Sequence, residues 1–208
     1  MKTSFLFIFL FCMMGCDKES GTTNQEPPAV KDSVIAVPTR FIAVDYIELD
    51  KIERISKFRS GIGHDYHDDA ESCRSMKHYY QPKIGISWAS VKIFSPVNGT
   101  VVRLFDEWAG TQVQIRPKVG PDFTIIIFHI TLRQPLSVGD SVLAGQQLGT
   151  HIGSQTMSDN AIGYSGLGTW KLLSYFDVMS DSLFQRYTER GISSRTMGNR
   201  IGSACPSR

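Results

Sequence analysis

Phe123-Thr-Ile-Ile-Ile-Phe-His-Ile130 is the stretch on which the fold turns. It is nearly continuous in apolar residues, rich in Ile and Phe, and free of Gly and Pro. A short run of this kind reads as a strand buried on both faces. A central strand needs neighbours, and they are visible on either side. Upstream, Thr111 to Arg116 alternates, with Val113 and Ile115 on one face, and Lys118 to Asp122 is a turn. Further upstream, Val91 to Phe94 and Thr100 to Phe105 are strands separated by Pro96-Val97-Asn98-Gly99. Asn-Gly between apolar runs predicts a hairpin. Downstream, Val138-Gly139-Asp140 is a turn, Val142 to Leu148 carries a Gly-Gln-Gln step, and Trp170 to Met179 reads as the last strand. Gly99 and Gly139 fall at turns where a positive φ is expected. Gly145 and Gly149 bracket a strand, where a bulge or a close backbone approach is expected. Tyr46 to Lys57 reads as a short helix. Asp181 to Arg190, with Leu183, Phe184 and Tyr187 at helical spacing, predicts a C-terminal helix capped by Gly191. The fold class is mostly β, a compact antiparallel sheet or barrel-like domain with a C-terminal helix.

The N-terminus carries a different signal. Lys2 precedes the apolar run Phe5 to Met14, which ends in Gly15-Cys16 before the charged Asp17-Lys18-Glu19. The run is too short to span a bilayer but fits the apolar part of a signal peptide. A small residue and then Cys at its end resembles the lipobox of bacterial lipoproteins. This predicts a signal peptide over 1–15, lipidation of Cys16 and a flexible polar tether over 16–33. The β-domain then occupies 34–208. About two or three palmitate-type acyl chains on Cys16 anchor a protein stably to a lipid bilayer. The expected location is therefore the bacterial cell envelope, on a periplasmic or surface face. With 22 basic and 20 acidic side chains there is no basic excess, and nucleic acid is not an expected partner. Cys12 leaves with the signal, so Cys73 and Cys205 remain in an oxidising compartment, where a disulfide between them is expected.

Phe58 to Pro82 has no clean periodicity and concentrates polar chemistry. It holds His64, His67 and His78 with Asp65, Asp68, Asp69 and Glu71. Long irregular segments in a compact domain are functional or disordered, and the aromatics here argue against disorder. One reading is an unorthodox metal site built on His67 and His78; the other is a polar cap over one end of the sheet. His151, in a predicted turn after Gly149, is expected to face solvent. Trp88, Trp108, Trp170, Tyr79 and Tyr80 supply either stacking surfaces for a ligand or core packing.

Three segments in order carry a family likeness: Ile93-Phe-Ser-Pro-Val-Asn-Gly-Thr-Val-Val102, then Gly110-Thr-Gln-Val-Gln-Ile115 leading to Ile127-Phe-His-Ile-Thr131, then Ser137-Val-Gly-Asp-Ser-Val-Leu-Ala-Gly-Gln-Gln-Leu-Gly149. Over roughly residues 58 to 180 the chain resembles the M23, lysostaphin-like zinc peptidases that cut peptidoglycan. The resemblance implies their duplicated hybrid motif. It also implies a three-ligand zinc with an open position for water. His129 matches the family's lone histidine that assists the activated water. His64 and Asp68 have the spacing of the first-motif ligands, although Gly63-His64-Asp65-Tyr66 also admits Asp65 as the family Asp, with Gly61 four residues before it. Aligning Phe176-Asp177-Val178 with the family's last strand puts Leu173 and Tyr175 where histidines belong.

The resulting expectation is a membrane-anchored, M23-like domain that binds or regulates at the cell wall rather than cutting, its partner being peptidoglycan or a cell-wall enzyme. On that reading no cofactor is expected. The alternatives are an active zinc-dependent endopeptidase, with zinc as its cofactor, and a carbohydrate- or ligand-binding β-domain.

Overall fold

A computed structural model of the chain describes residues 40–69, 71, 75–166 and 168–192. The predicted signal peptide, the tether, Cys16, Cys73 and Cys205 lie outside the described residues. The fold is mostly antiparallel β, with ten strands and one α-helix among the described residues. The strands are β1 (Ile52–Ile55), β2 (His78–Pro82), β3 (Lys92–Phe94), β4 (Gly99–Glu107), β5 (Gly110–Pro117), β6 (Phe123–Leu132), β7 (Ser141–Val142), β8 (Gln147–His151), β9 (Ser158–Tyr164) and β10 (Lys171–Leu173), followed by α1 (Asp181–Thr188). Along the main path they run β1-β2-β9-β6-β5-β4-β7, with β10 on β9 and β3 on β8, which in turn pairs with β6.

Phe123–Leu132 is the central strand that its composition predicts. Its buried residues alternate between two apolar clusters. Ile125, Ile127 and Ile130 enter the main core with Val113, Ile115, Tyr46 and Tyr175. Ile126 and Phe128 face the other way, against Phe58, Met76, Ala161 and Leu172. Phe58, Tyr66 and Met76, which precede β2, thus cover the second face of the sheet. Ser180 caps α1, its hydroxyl accepting the Leu183 amide, and the helix buries Leu183 and Tyr187 in the main core. Gly191 follows with φ 90°, as a helix-ending glycine should.

Several sequence expectations are corrected. Tyr46 to Lys57 is no helix: a single 3₁₀ turn (Leu49–Lys51) leads into β1, because tertiary pairing with β2 outweighs a weak helical pattern. The Asn98-Gly99 turn does not close a hairpin. β3 pairs with β8, and β4 with β5 and β7. Gly99 lies in β4 without a positive φ, and a Cβ there would fall 2.6 Å from the Arg116 carbonyl oxygen. Gly139 does take φ 100°. At Gly149 a Cβ would fall 2.1 Å from the Thr131 carbonyl oxygen, the close approach expected there. The predicted last strand, Trp170 to Met179, shrinks to β10, and Ser174 to Asp177 turn away from it.

Candidate functional site

The site is organised by a break in β6. Up to Ile127 this strand pairs with β9; from Ile130 it pairs with β8 on the same edge. Against β5, Thr111 faces Ile130 while Val113 faces Ile127, so β6 carries one extra residue there. That is a β-bulge, and His129 sits in it with φ 64°, a left-handed conformation rare for residues other than glycine. Bulges of this kind re-aim a side chain. The His129 ring is held by the tip of the β4–β5 hairpin: Nδ1 lies 3.0 Å from the Ala109 carbonyl oxygen, which can only accept, so Nδ1 carries a proton. Gly110, with φ 88°, allows this apposition, because a Cβ there would sit 3.0 Å from the Ile130 carbonyl oxygen.

The other imidazole nitrogen meets Asp159. His129 Nε2 lies 3.3 Å from Asp159 Oδ1, without the alignment of a hydrogen bond. Asp159 comes from β9 and is wholly buried. Its second oxygen, Oδ2, accepts a hydrogen bond of 3.0 Å from Lys77 Nζ. Lys77, one residue before β2, is itself only 1 % exposed. Register explains the meeting: Tyr79 stands opposite Asp159 in the β2–β9 ladder, and Lys77 lies two residues back on the same face. The ammonium rests over the rings of Phe128 and Tyr66, 3.4 and 4.2 Å from their centroids. It also lies 3.4 Å from His64 Nε2, whose Nδ1 is 3.5 Å from the Tyr79 hydroxyl. Burial pushes the Lys77 amine down, and Asp159 opposes that shift. Partial burial, and then the Lys77 charge, hold His64 below the ordinary histidine range.

His129 and His64, both expected from the sequence, thus belong to one cluster, linked by Lys77 and Asp159, which the sequence reading missed. Asp68 does different work. Its Oδ1 accepts the Glu71 amide and its Oδ2 the Leu172 amide, both at 2.7 Å, which fastens the polar segment to β10. An ion pair between Arg59 and Glu71 braces the segment internally. Of the expected irregular segment Phe58 to Pro82, the last five residues are β2 (His78–Pro82). His78 is buried, with Nδ1 2.9 Å from the Ser56 carbonyl oxygen and Nε2 2.8 Å from the Ser174 hydroxyl. His67 Nδ1 lies 3.0 Å from the Asp68 carbonyl oxygen. Contrary to expectation, His151 is fully buried at the end of β8, against Trp88. Of the aromatic candidates, Trp88, Tyr79 and Tyr80 are core residues, whereas Trp108 is 81 % exposed at the hairpin tip beside Ala109.

No family model and no curated protein matches the chain. Solved structures similar to it include a chain of the SpoIIQ-SpoIIIAH pore forming complex, at 13% identity and TM-score 0.46, covering 71% of this chain and 98% of that one. Helicobacter pylori Csd3 is similar at 17% identity and TM-score 0.44 over 72% of this chain, which spans 39% of the Csd3 chain. The catalytic domain of the prophage-encoded M23 protein EnpA from Enterococcus faecalis is similar at 21% identity and TM-score 0.40, with 60% and 88% of the two chains covered.

The zinc implied by the M23 resemblance does not fit the side chains at this position. The strand beside His129 is β9, not the Leu173–Tyr175 segment that the sequence alignment pointed to, and it offers Ser158, Asp159 and Asn160. Asp159 is already bonded to a fixed ammonium, and that ammonium separates it from His64. Among the described residues no three His, Cys, Asp or Glu side chains converge as a metal-binding group.

Proposed function

We propose that this chain is a cell-envelope lipoprotein whose M23-like domain binds or regulates at the cell wall and does not hydrolyse it. The observation that carries the reading is the Lys77 ammonium between His64 and Asp159. A hydrolytic zinc needs about three protein ligands and an open position for water, and a fixed positive charge among the donors opposes any divalent cation. Acylated Cys16 tethers the domain to the bilayer, and Cys73 and Cys205 form a disulfide. Trp108, exposed at the hairpin tip next to the His129 cluster, supports contact with a sugar or peptide ligand through its ring face. No helix among the described residues is long and apolar enough to cross a membrane.

Purified without chelator, the exported protein is expected to carry far less than stoichiometric zinc, to co-sediment with peptidoglycan sacculi and to release no soluble fragments from them. Elemental analysis beside a dye-release assay makes the test. About one zinc per chain together with hydrolysis that stops on His129→Ala would establish the zinc peptidase instead. For the anchor, Cys16→Ser is expected to move the protein from the membrane to the soluble fraction; retention in the membrane at the wild-type level would refute the lipoprotein assignment.

A further inference from the structure

We infer that the free edge of β4 is a docking surface for a second copy of this chain, which joins it as an antiparallel strand pair centred on Phe105. β4 pairs with β5 from Gly99 to Glu107. Its other edge is covered only at the start. There β7 pairs with Gly99 and Thr100, and the Val101 carbonyl and amide meet Gly139 and Asp140. Val102 is an extra residue opposite β5, a bulge. Beyond it, Arg103 to Glu107 have no strand on that side among the described residues. The hairpin fixes which backbone groups are left over. Trp108 and Ala109 form the turn, so Glu107 and Gly110 exchange hydrogen bonds across it, and Phe105 and Arg103 bond to β5 in the same way. The amides and carbonyls of Leu104 and Asp106 therefore point out from the free edge, an open template for another strand.

The side chains name the occupant. Charges of one sign on an edge keep other strands away; here both signs are present, and their order is self-complementary. Arg103, Phe105 and Glu107 alternate onto one face, with the Arg103 guanidinium 4.3 Å from the Phe105 ring centroid. Leu104 packs against the main core on the other face. Phe105 is 38 % exposed, a large apolar ring on an uncovered strand. A two-fold axis normal to the sheet sets two such edges antiparallel and keeps equivalent side chains on the same face. With the axis at Phe105, Leu104 of each copy lies opposite Asp106 of the other. These are the residues whose backbone groups are free, and they exchange hydrogen bonds. Arg103 of each copy then lies opposite Glu107 of the other, an opposite-charge cross-strand pair. The two Phe105 rings meet at the centre. An axis at Asp106 would set two carboxylates opposite each other. An axis at Leu104 would leave Arg103 opposite Phe105 and Asp106 opposite the bulged Val102. Of these registers, the one centred on Phe105 satisfies charge and backbone together.

The test uses the full exported chain, with wild type, which has no cysteine on this edge, as the blank. In this register the two Phe105 Cα atoms form a pair without hydrogen bonds, about 4.5 Å apart and within reach of a disulfide. Equivalent Arg103 residues are about 13 Å apart, too far for one. Under mild oxidation Phe105→Cys is therefore expected to form a disulfide-linked dimer at least about 10-fold faster than Arg103→Cys. Co-isolation of two differently tagged copies reads the charges. Arg103→Glu and Glu107→Arg are each expected to lower it at least about 5-fold, because each sets like charges opposite one another. Mixing an Arg103→Glu copy with a Glu107→Arg copy should restore it, since both cross-strand pairs are again of opposite sign. Thermal melts check that the charge variants fold; the cysteine comparison, made at two exposed positions, decides without them. A Phe105→Cys chain that stays monomeric under oxidant, or cross-links to a different protein, overturns the inference. So does a mixture of folded charge variants that recovers no co-isolation. Either result leaves the non-catalytic reading as it stands.

Discussion

Asp159→Ala is expected to destabilise the domain by about 3–5 kcal/mol, the usual cost of removing one partner from a buried ion pair. The cause lies less in the lost attraction than in what is left. Lys77 is 1 % exposed, and in the variant its ammonium would lie between the rings of Tyr66 and Phe128 with no carboxylate beside it. Burial already pushes the Lys77 amine down, and without Asp159 it should give up its proton and become an unsatisfied neutral amine. His129 would lose its orienting partner at the same time. Urea denaturation gives the number. Replacing both charges, as Lys77→Met with Asp159→Leu, should recover most of the loss, because an apolar pair of similar volume removes the desolvation cost from both ions. A loss below about 1 kcal/mol for the single variant would show that the pair is not closed from solvent.

This cluster was only partly legible in the sequence, and the reason is specific. His129 was found because it ends an apolar run whose composition leaves little choice but a buried central strand. β5 was legible from alternation, and α1 from Leu183, Phe184 and Tyr187 with a glycine after them. β9 was missed. Its sequence, Ser158-Asp-Asn-Ala-Ile-Gly-Tyr164, begins with residues that favour turns, and it is a strand because β2 and β6 pair with both its edges. β9 stands between β6 and β10, so Leu173 lies one strand away from the strand that carries His129. Lys77 gave no signal, since its partner lies 82 residues away and only the β2–β9 register brings the two together. The bulge that turns His129 is equally silent: one extra residue in a continuous apolar run alters no periodicity. Asp68 marks the limit of spacing as a guide. The spacing His64-x-x-x-Asp68 is present, but spacing cannot distinguish a metal ligand from a carboxylate that accepts two backbone amides.

Below neutral pH the domain is expected to lose about 3 kcal/mol of stability through His78 alone. Its ring is 1 % exposed and packs 4.3 Å from the Phe176 ring and 5.8 Å from that of Phe58. Nδ1 donates to the Ser56 carbonyl oxygen and Nε2 accepts from the Ser174 hydroxyl, so both nitrogens are satisfied in the neutral form and no ionisable group is among these contacts. Burial pushes the pKa down from 6.5 to about 4, with the Ser56 contact opposing. The sign follows from proton counting. Between pH 6.5 and about 4 the unfolded chain binds a proton at this residue and the folded chain does not, so stability falls as pH falls. The contribution is fully present above 6.5 and lost toward 4; a shift of about 2.5 units corresponds to about 3 kcal/mol. His151, also held to about 4 by burial, adds in the same direction. Asp45, pushed up by burial against the opposing pull of Tyr187 and Arg186, acts oppositely over its own range, so the wild-type curve alone is a sum. The difference between wild type and His78→Gln isolates the histidine. Gln supplies an amide donor and an acceptor without a proton to bind, and its stability between pH 7 and 4 should fall by about one proton's worth less steeply than wild type. Parallel pH curves for the two proteins would mean that His78 takes up its proton in the folded state and that its contacts rearrange to hold the charge.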